Sequence, residues 1–143
     1  MDKVLIIGAG GIGSVIASSI VSSGGKVFIA GRTQENLQSQ ATALDCEFGL
    51  VEATNAESVD QCGDQAFAAL DGLTGIVNCV GSILLKPAHL TSPKEWDETI
   101  TANLTTAFHC VRTAGRVLRR SGGSVVLLAS AAGRVGVSND YAV

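Results

Sequence analysis

The 143-residue sequence has little charge, no clustered cysteines and no long uninterrupted apolar run. Charged residues make up only 16% of the chain and hydrophobic residues 46%, a balance that argues against intrinsic disorder. The net charge of −3 is too small to predict a nucleic acid or an anionic membrane as a partner. The first apolar run is short and glycine interrupts it, so it predicts neither a signal peptide nor a membrane span.

Possible metal ligands are scattered rather than grouped. Four cysteines are spread along the chain: Cys46, Cys62, Cys79 and Cys110. Because no Cys-x-x-Cys pair occurs, they are expected to be free, buried thiols in a reducing cytoplasm. His89 and His109 add no cluster of ligands, and no metal site is predicted.

Apolar segments typical of strands alternate with amphipathic segments typical of helices. The expected strands are 4–7, 26–30, 48–51, 75–80 and 124–129, and the expected helices are 12–21, 34–44, 56–70 and 93–120. Such alternation predicts right-handed crossovers and a parallel sheet covered by helices on both faces. The expected fold class is therefore α/β, a doubly wound three-layer α/β/α sheet, in one unit over 1–143.

The helix expected over 93–120 has the clearest signals. Residues 92–95, Ser-Pro-Lys-Glu, form a capping box with proline at the first helical position. Apolar residues then recur at three- and four-residue steps, and Gly122-Gly123 ends the segment. Four arginines near its end, at positions 112, 116, 119 and 120, are expected to interact favourably with the helix dipole.

The first expected strand runs into a glycine-rich loop, Gly8-Ala9-Gly10-Gly11-Ile12-Gly13. Its glycines fit the G-x-G-x-x-G spacing, in which the first makes a tight turn and the second lets a pyrophosphate approach the backbone. The third allows close packing of helix on strand, and the helix amino terminus faces the anion. Because the loop follows a strand and opens a helix, it predicts dinucleotide binding by Gly8, Gly10, Gly11, Ile12 and Gly13.

The end of the second expected strand indicates which dinucleotide is bound. An acidic side chain there would accept hydrogen bonds from the ribose 2′-hydroxyl. The sequence instead has Ala30-Gly31-Arg32, with no carboxylate. A guanidinium is a fixed cationic fork suited to phosphate, so Gly31 and Arg32 predict NADP in preference to NAD.

Four stretches together resemble the short-chain dehydrogenase/reductase family: GAGGIG at 8–13, VNCVG at 77–81, TANLTTAF at 101–108 and SVVLLAS at 124–130. The resemblance implies a Rossmann sheet and reversible hydride transfer between NAD(P) and a small-molecule alcohol or carbonyl. It also implies a homo-oligomer for the full-length protein. The family's first loop is usually one residue longer than the loop here, which is a departure.

The resemblance implies further cofactor-binding residues. Asn78, Val80 and Gly81 match the family stretch after the fourth strand, although Cys79 replaces a usual Asn and Val80 a usual Ala. After the third strand, Glu52 takes the place of the family's acidic residue near the adenine, with Ala53 beside it at the cofactor.

The resemblance also implies catalytic roles. Asn103 matches the helix asparagine that supports a proton-relay water, and Ser130 matches the serine that hydrogen-bonds the substrate oxygen. In the family a tyrosine transfers the proton, and a nearby lysine lowers its pKa. Either Tyr141 is that acid/base, or the family spacing assigns its position to Val143. The lysine position falls beyond the last residue in both alignments, so the chain is expected to be a fragment.

Two other functions stay open. One is a non-catalytic dinucleotide-binding module or degenerate relative, which a valine at the tyrosine position would favour. The other is a different Rossmann enzyme, such as a sugar-nucleotide epimerase or dehydratase. The fifth strand is expected to leave an unpaired apolar edge, and such edges promote aggregation.

Overall fold

The computed structural model describes residues 1–135. Within them, five strands alternate with five helices, and a π-helical segment, Thr101–Thr105, joins the last two helices. The strands are β1 (Lys3–Ile7), β2 (Lys26–Gly31), β3 (Glu47–Leu50), β4 (Gly75–Asn78) and β5 (Ser124–Leu127). The helices are α1 (Gly11–Ser22), α2 (Gln34–Leu44), α3 (Ala56–Leu70), α4 (Pro93–Ile100) and α5 (Thr106–Val117).

The strands form one parallel sheet in the order β3-β2-β1-β4-β5. This confirms the predicted doubly wound α/β fold, in which the chain turns to the opposite side of β1 after β3. The last residue of β1, Ile7, pairs with Ala30 of β2 and Asn78 of β4. The carboxyl ends of these three strands therefore meet at one edge of the sheet, where ligands of doubly wound sheets bind.

The three central strands, β1, β2 and β4, are buried on both faces, which explains their continuous apolar sequences. In β1, Leu5 and Ile7 face a core shared with α3 and α5, whereas Val4 and Ile6 face a core shared with α1 and α2. Leu5, Ile6 and Ile7 are at most 1% exposed. Burying each such side chain contributes roughly 1.5–3 kcal/mol of transfer free energy, so β1 contributes strongly to the stability of the fold.

Two strands end two residues earlier than predicted, and β3 ends one residue earlier. β4 ends at Asn78 because the Asn78 side-chain oxygen accepts the N–H of Val80 at 3.2 Å and turns the chain. β5 ends at Leu127, and among residues 1–135 it pairs with β4 alone. Its four residues are all exposed, so the expected apolar edge is present in this part of the chain.

The predicted long helix is correct at its start and wrong at its end. The capping box forms: Ser92 Oγ accepts the Glu95 N–H at 3.3 Å, and Glu95 Oε2 accepts the Ser92 N–H at 2.9 Å. The helix is interrupted by the π-helical segment and ends at Val117 rather than at 120. Arg119 and Arg120 thus lie outside it, and the predicted dipole interaction does not apply to them.

The other two of these arginines pair with α3. Arg112 contacts the carboxylate of Asp60, and Arg116 contacts that of Asp64 at 2.7 Å. Asp60 also accepts a hydrogen bond from the buried Thr113 hydroxyl at 2.6 Å. These contacts fix α3 against α5. Arg116 also lies in the last turn of α5, where the predicted interaction with the helix dipole applies, whereas Arg112 lies before that turn.

The four cysteines are free thiols, as expected, but only Cys62 and Cys110 are buried, whereas Cys46 and Cys79 are half-buried. Burial raises the pKa of Cys62 to about 12, and burial together with Cys79 raises that of Cys110 to about 11. In residues 1–135, no cluster of three potential metal ligands occurs. The helices in the same range are too short or too polar to cross a membrane.

Candidate functional site

A cleft of about 660 Å³ opens at the edge where β1, β2 and β4 end. It gathers ten of the eleven predicted cofactor-binding residues into its wall: Gly8, Gly10, Gly11, Ile12, Gly13, Gly31, Arg32, Ala53, Val80 and Gly81. Asn78, the eleventh, is buried at the end of β4 directly before this wall. The predicted residues thus come together although up to 73 positions separate them in the sequence.

The glycine-rich loop is packed so tightly that two of its glycines have no room for a side chain. Gly8 has φ +95°, and a Cβ there would lie 2.9 Å from the backbone of Cys79 and Val80. A Cβ on Gly13 would lie 2.2 Å from the Gly8 carbonyl oxygen. Gly13 therefore permits close contact between α1 and the end of β1, as the motif predicts.

The other two glycines border open space. In the part of the chain that the structure describes, no atom beyond the neighbouring residues and the helix's own backbone lies within 4 Å of a Cβ placed on Gly10 or Gly11. Gly10 is the residue before α1 and offers no side-chain cap, so the first N–H groups of the helix are left for a ligand. Together with the positive end of the helix dipole, these N–H groups suit an anion such as a phosphate.

At the opposite end of the cleft, the side chain that follows β2 is a cation rather than a carboxylate that could bind the ribose 2′-hydroxyl. β2 ends at Gly31, and the exposed Arg32 follows it directly. Thr33 and Asn36 also line this end. The carboxylate of Glu52 is in the wall, but its Oε1 accepts hydrogen bonds from the Thr54 N–H at 3.3 Å and hydroxyl at 2.9 Å.

Asn103 acts on the loop that follows β4. Its side-chain oxygen accepts the Ser82 N–H at 2.8 Å, and its amide nitrogen donates to the Ser82 carbonyl at 3.1 Å. A Cβ on Gly81 would lie 2.9 Å from the same Asn103 oxygen. Asn103 lies in the π-helical segment, and such segments often occur at functional sites. The asparagine therefore fixes the Gly81–Ser82 backbone at the cleft.

Ser130 and Tyr141 are the remaining predicted catalytic residues. Ser130 lies just beyond β5, where its Oγ accepts the Ala132 N–H at 3.1 Å and caps a short 3₁₀ turn, Ala131–Gly133. Within residues 1–135, the hydroxyl hydrogen of Ser130 is not donated to another group. Tyr141 and its alternative Val143 lie outside the described residues.

Two residues that contact the cleft wall were not predicted from the sequence. His109 is buried in α5, and its Nδ1 lies 3.0 Å from the carbonyl oxygen of Ala53. Because that oxygen can only accept, Nδ1 carries the hydrogen. Gln40 of α2 donates from Nε2 to the carbonyl oxygen of Ala9 at 2.9 Å. Both are contacts between distant segments, and no local pattern indicates them.

A second cavity, of about 370 Å³, lies beside the start of α4. Leu84, Pro93 and Trp96 supply most of its apolar wall, and Lys86 lies at its edge. Lys86 Nζ contacts Glu95 at 2.8 Å. Hydrogen bonds from Lys86 and then from Ser92 lower the pKa of Glu95 to about 2. This ion pair joins the cavity-lining Lys86 to the first turn of α4.

The fold and cleft define a dinucleotide-binding α/β protein, and comparison with known proteins identifies its family. The family model described as short chain dehydrogenase matches residues 2–142. The chain belongs to the short-chain dehydrogenase family.

Its relatives include an oxidoreductase of Staphylococcus aureus (strain MW2), 33% identical over 138 residues that cover 92% of this chain and 60% of the relative. A short chain dehydrogenase from Mycobacterium smegmatis superimposes with a TM-score of 0.92 at 26% identity, covering 97% of this chain and 62% of that one. Serine dehydrogenase complexed with NADP+, in its closed form, gives a TM-score of 0.86 at 25% identity, covering 95% and 57%. The chain thus spans about 60% of the length of the relatives it matches.

Proposed function

We propose that the protein is an NADP-dependent oxidoreductase that transfers a hydride reversibly between NADP(H) and a small-molecule alcohol or carbonyl. The observation that carries the proposal is the cleft, which has open helix N–H groups at one end and, at the other, Arg32 with no carboxylate partner among residues 1–135. One end suits a pyrophosphate and the other a ribose 2′-phosphate. Serine dehydrogenase, a relative by structure, is complexed with NADP+.

The residues present fit such a cofactor. The cleft of about 660 Å³ falls within the roughly 300–1,000 Å³ of small-molecule sites, and the Gly8 and Gly13 positions have no Cβ to obstruct the backbone. Gly10, Gly11 and Ile12 would hold the pyrophosphate, with Arg32 at the 2′-phosphate. Ala53, Val80 and Gly81 would flank the adenosine and nicotinamide portions.

When bound, NADP(H) supplies the hydride, and this chain orients the reacting groups. We assign Ser130 the role of donating its hydroxyl hydrogen to the substrate oxygen, since its Oγ lone pair is held by the Ala132 N–H. Asn103 holds the Gly81–Ser82 backbone at the wall of the cleft. Tyr141 is proposed as the proton-transferring group.

The test of cofactor choice is calorimetric titration of the 143-residue chain with NADP+ and with NAD+. Replacing Arg32 by Ala removes a charge-assisted hydrogen bond, so NADP+ affinity should fall by about tenfold to about a hundredfold while NAD+ affinity changes little. Arg119→Ala is the matched control, because Arg119 is exposed and lies outside the cleft. Equal affinity of the wild-type chain for both dinucleotides would contradict the NADP assignment.

The test of chemistry is separate from the test of binding. NADPH oxidation is followed by absorbance with a panel of small aldehydes and ketones, and Ser130→Ala should lower kcat/KM about a hundredfold or more if its hydroxyl orients the substrate. NADP+ binding without turnover on any carbonyl would favour the dinucleotide-binding module over the oxidoreductase.

A further inference from the structure

The glycine-rich loop is held by a side chain from another helix. Gln40 lies in the second turn of α2, 31 positions from Ala9 of the loop, and its Nε2 donates to the carbonyl oxygen of Ala9 at 2.9 Å. The orientation of the amide group follows from chemistry, because a carbonyl oxygen can face only the NH2 half of the glutamine amide.

Ala9 is also fixed from its other side. The N–H groups of Gly8 and Ala9 both donate to the carbonyl oxygen of Ala30, at 2.8 and 3.1 Å. The backbone N–H and C=O of Ala9 are therefore both engaged, the first by β2 and the second by α2. The loop is tied down as far as Ala9, and the next residue along the chain is Gly10.

The Ala9–Gly10 peptide is trans and planar, so its C=O and N–H point in opposite directions. Holding the Ala9 carbonyl toward Gln40 consequently turns the Gly10 N–H away from α2. Within residues 1–135 this N–H makes no hydrogen bond, and Gly10 lines the cleft. Gly10 itself adds no side-chain contact that would restrain the peptide, and within residues 1–135 only its chain neighbours would lie within 4 Å of a Cβ placed there.

The Gln40 contact is retained at a cost. Its other polar atom, Oε1, is buried and has no partner in the described part of the chain. An unsatisfied buried acceptor disfavours the folded state, a cost that an apolar side chain at this position would avoid. Stability alone does not explain a glutamine at this position, so we expect it to have another role. The one hydrogen bond that its side chain makes within residues 1–135 goes to the glycine-rich loop.

We propose that Gln40 is a positioning residue that sets the plane of the Ala9–Gly10 peptide and so directs the Gly10 N–H to a phosphate of the dinucleotide. This inference rests on the proposed function, since it assumes that the glycine-rich loop binds a pyrophosphate. It adds a residue from outside the loop, and it predicts that the effect of Gln40 is confined to ligands that carry the pyrophosphate.

The experiment compares Gln40→Met with wild type in calorimetric titrations with NADP+ and with adenosine 2′-monophosphate. Methionine matches glutamine in length and shape but cannot donate to Ala9. NADP+ affinity should fall by about threefold to about tenfold. Affinity for adenosine 2′-monophosphate, which lacks the pyrophosphate and retains the 2′-phosphate, should stay within about twofold. Gln38→Met is the matched control, because Gln38 lies exposed on the same helix.

The outcomes separate this inference from the function on which it rests. Unchanged NADP+ affinity in Gln40→Met, or an equal loss for both ligands together with a lower melting temperature, would overturn the positioning role. A wild-type chain that binds neither ligand would refute the proposed function itself. If Gln40→Met does not fold, Gln40→Leu replaces it, since its apolar side chain also has no hydrogen for the Ala9 carbonyl and adds no charge near the loop, and the same selective loss is expected.

Discussion

Replacing Gly13 by alanine tests the packing of the glycine-rich loop most directly. The new Cβ would lie 2.2 Å from the Gly8 carbonyl oxygen and 3.4 Å from Ile6 Cγ2. Relieving the first contact requires the two backbones to separate by about 1 Å, and such overpacking typically destabilises a protein by about 1–3 kcal/mol. Alanine in place of glycine inside a helix gains up to about 1 kcal/mol, which offsets only part of this.

Gly8 cannot move aside easily to relieve the contact. Its N–H donates a hydrogen bond to the Ala30 carbonyl oxygen at 2.8 Å, and a Cβ placed on it would lie only 2.9 Å from the Cys79–Val80 backbone. We therefore expect the free energy of unfolding of Gly13→Ala to fall by about 1–2 kcal/mol. The measurement is urea unfolding followed by circular dichroism, with the slope compared to that of wild type to confirm that the same surface unfolds.

Gly11→Ala is the matched control. It also lies in the first turn of α1, but a Cβ there meets nothing within 4 Å, so its stability should rise by up to about 1 kcal/mol. The reasoning would be refuted if Gly13→Ala were as stable as wild type or if Gly11→Ala were equally destabilised. The two variants also separate effects on folding from effects on binding. A methyl group on Gly11 would face the part of the cleft where we propose that a phosphate binds, without disturbing the fold.

The remaining predictions concern ion pairs. The folded pKa of Glu95 is lowered to about 2, so its contribution to stability is present above the ordinary pKa near 4.5 and is lost as the pH falls toward 2. Glu95→Gln should flatten the pH dependence of the melting temperature in this window, and Glu98→Gln, on the same helix, should not. Asp60→Ala leaves the buried Thr113 hydroxyl without its acceptor and should lower the free energy of unfolding by about 1–3 kcal/mol in urea titrations. Asp64→Ala, whose side chain is 61% exposed, should cost less than about 1 kcal/mol, and equal losses in the two aspartate variants would argue against this account of Asp60.

The order of strands and helices could be predicted because it depends on local signals. Burial on both faces makes β1 a continuous apolar run, and the capping box marks the start of α4 at the correct residue. The glycine-rich loop could be assigned to the site for the same reason, since its spacing, strand and helix are adjacent in the sequence. These features depend on residues that are close together in the sequence, so they can be recognised from the sequence alone.

The parts that escaped prediction depend on contacts between distant segments or on a single side chain. The strand β4 ends at Asn78 because the Asn78 side chain accepts a hydrogen bond from the Val80 N–H. Such a side-chain hydrogen bond competes with strand pairing and leaves no periodic pattern in the sequence. The hydrogen bond from His109 to Ala53 spans 56 positions, and that from Gln40 to Ala9 spans 31. In the sequence these two residues look like an ordinary core position and an ordinary polar position of a helix.

The strand order also has a consequence for how the cleft is assembled during synthesis. Residues 1–50 contain β1, β2 and β3, three neighbouring strands that can pair before any later residue leaves the ribosome. Gly8 is in close contact with Cys79 and Val80, which arrive only with β4. The wall of the cleft therefore combines residues from an early and a late half of the chain. If the chain is divided at the Asp71–Gly72 turn and the halves are expressed separately, the cleft should form only after the two halves associate.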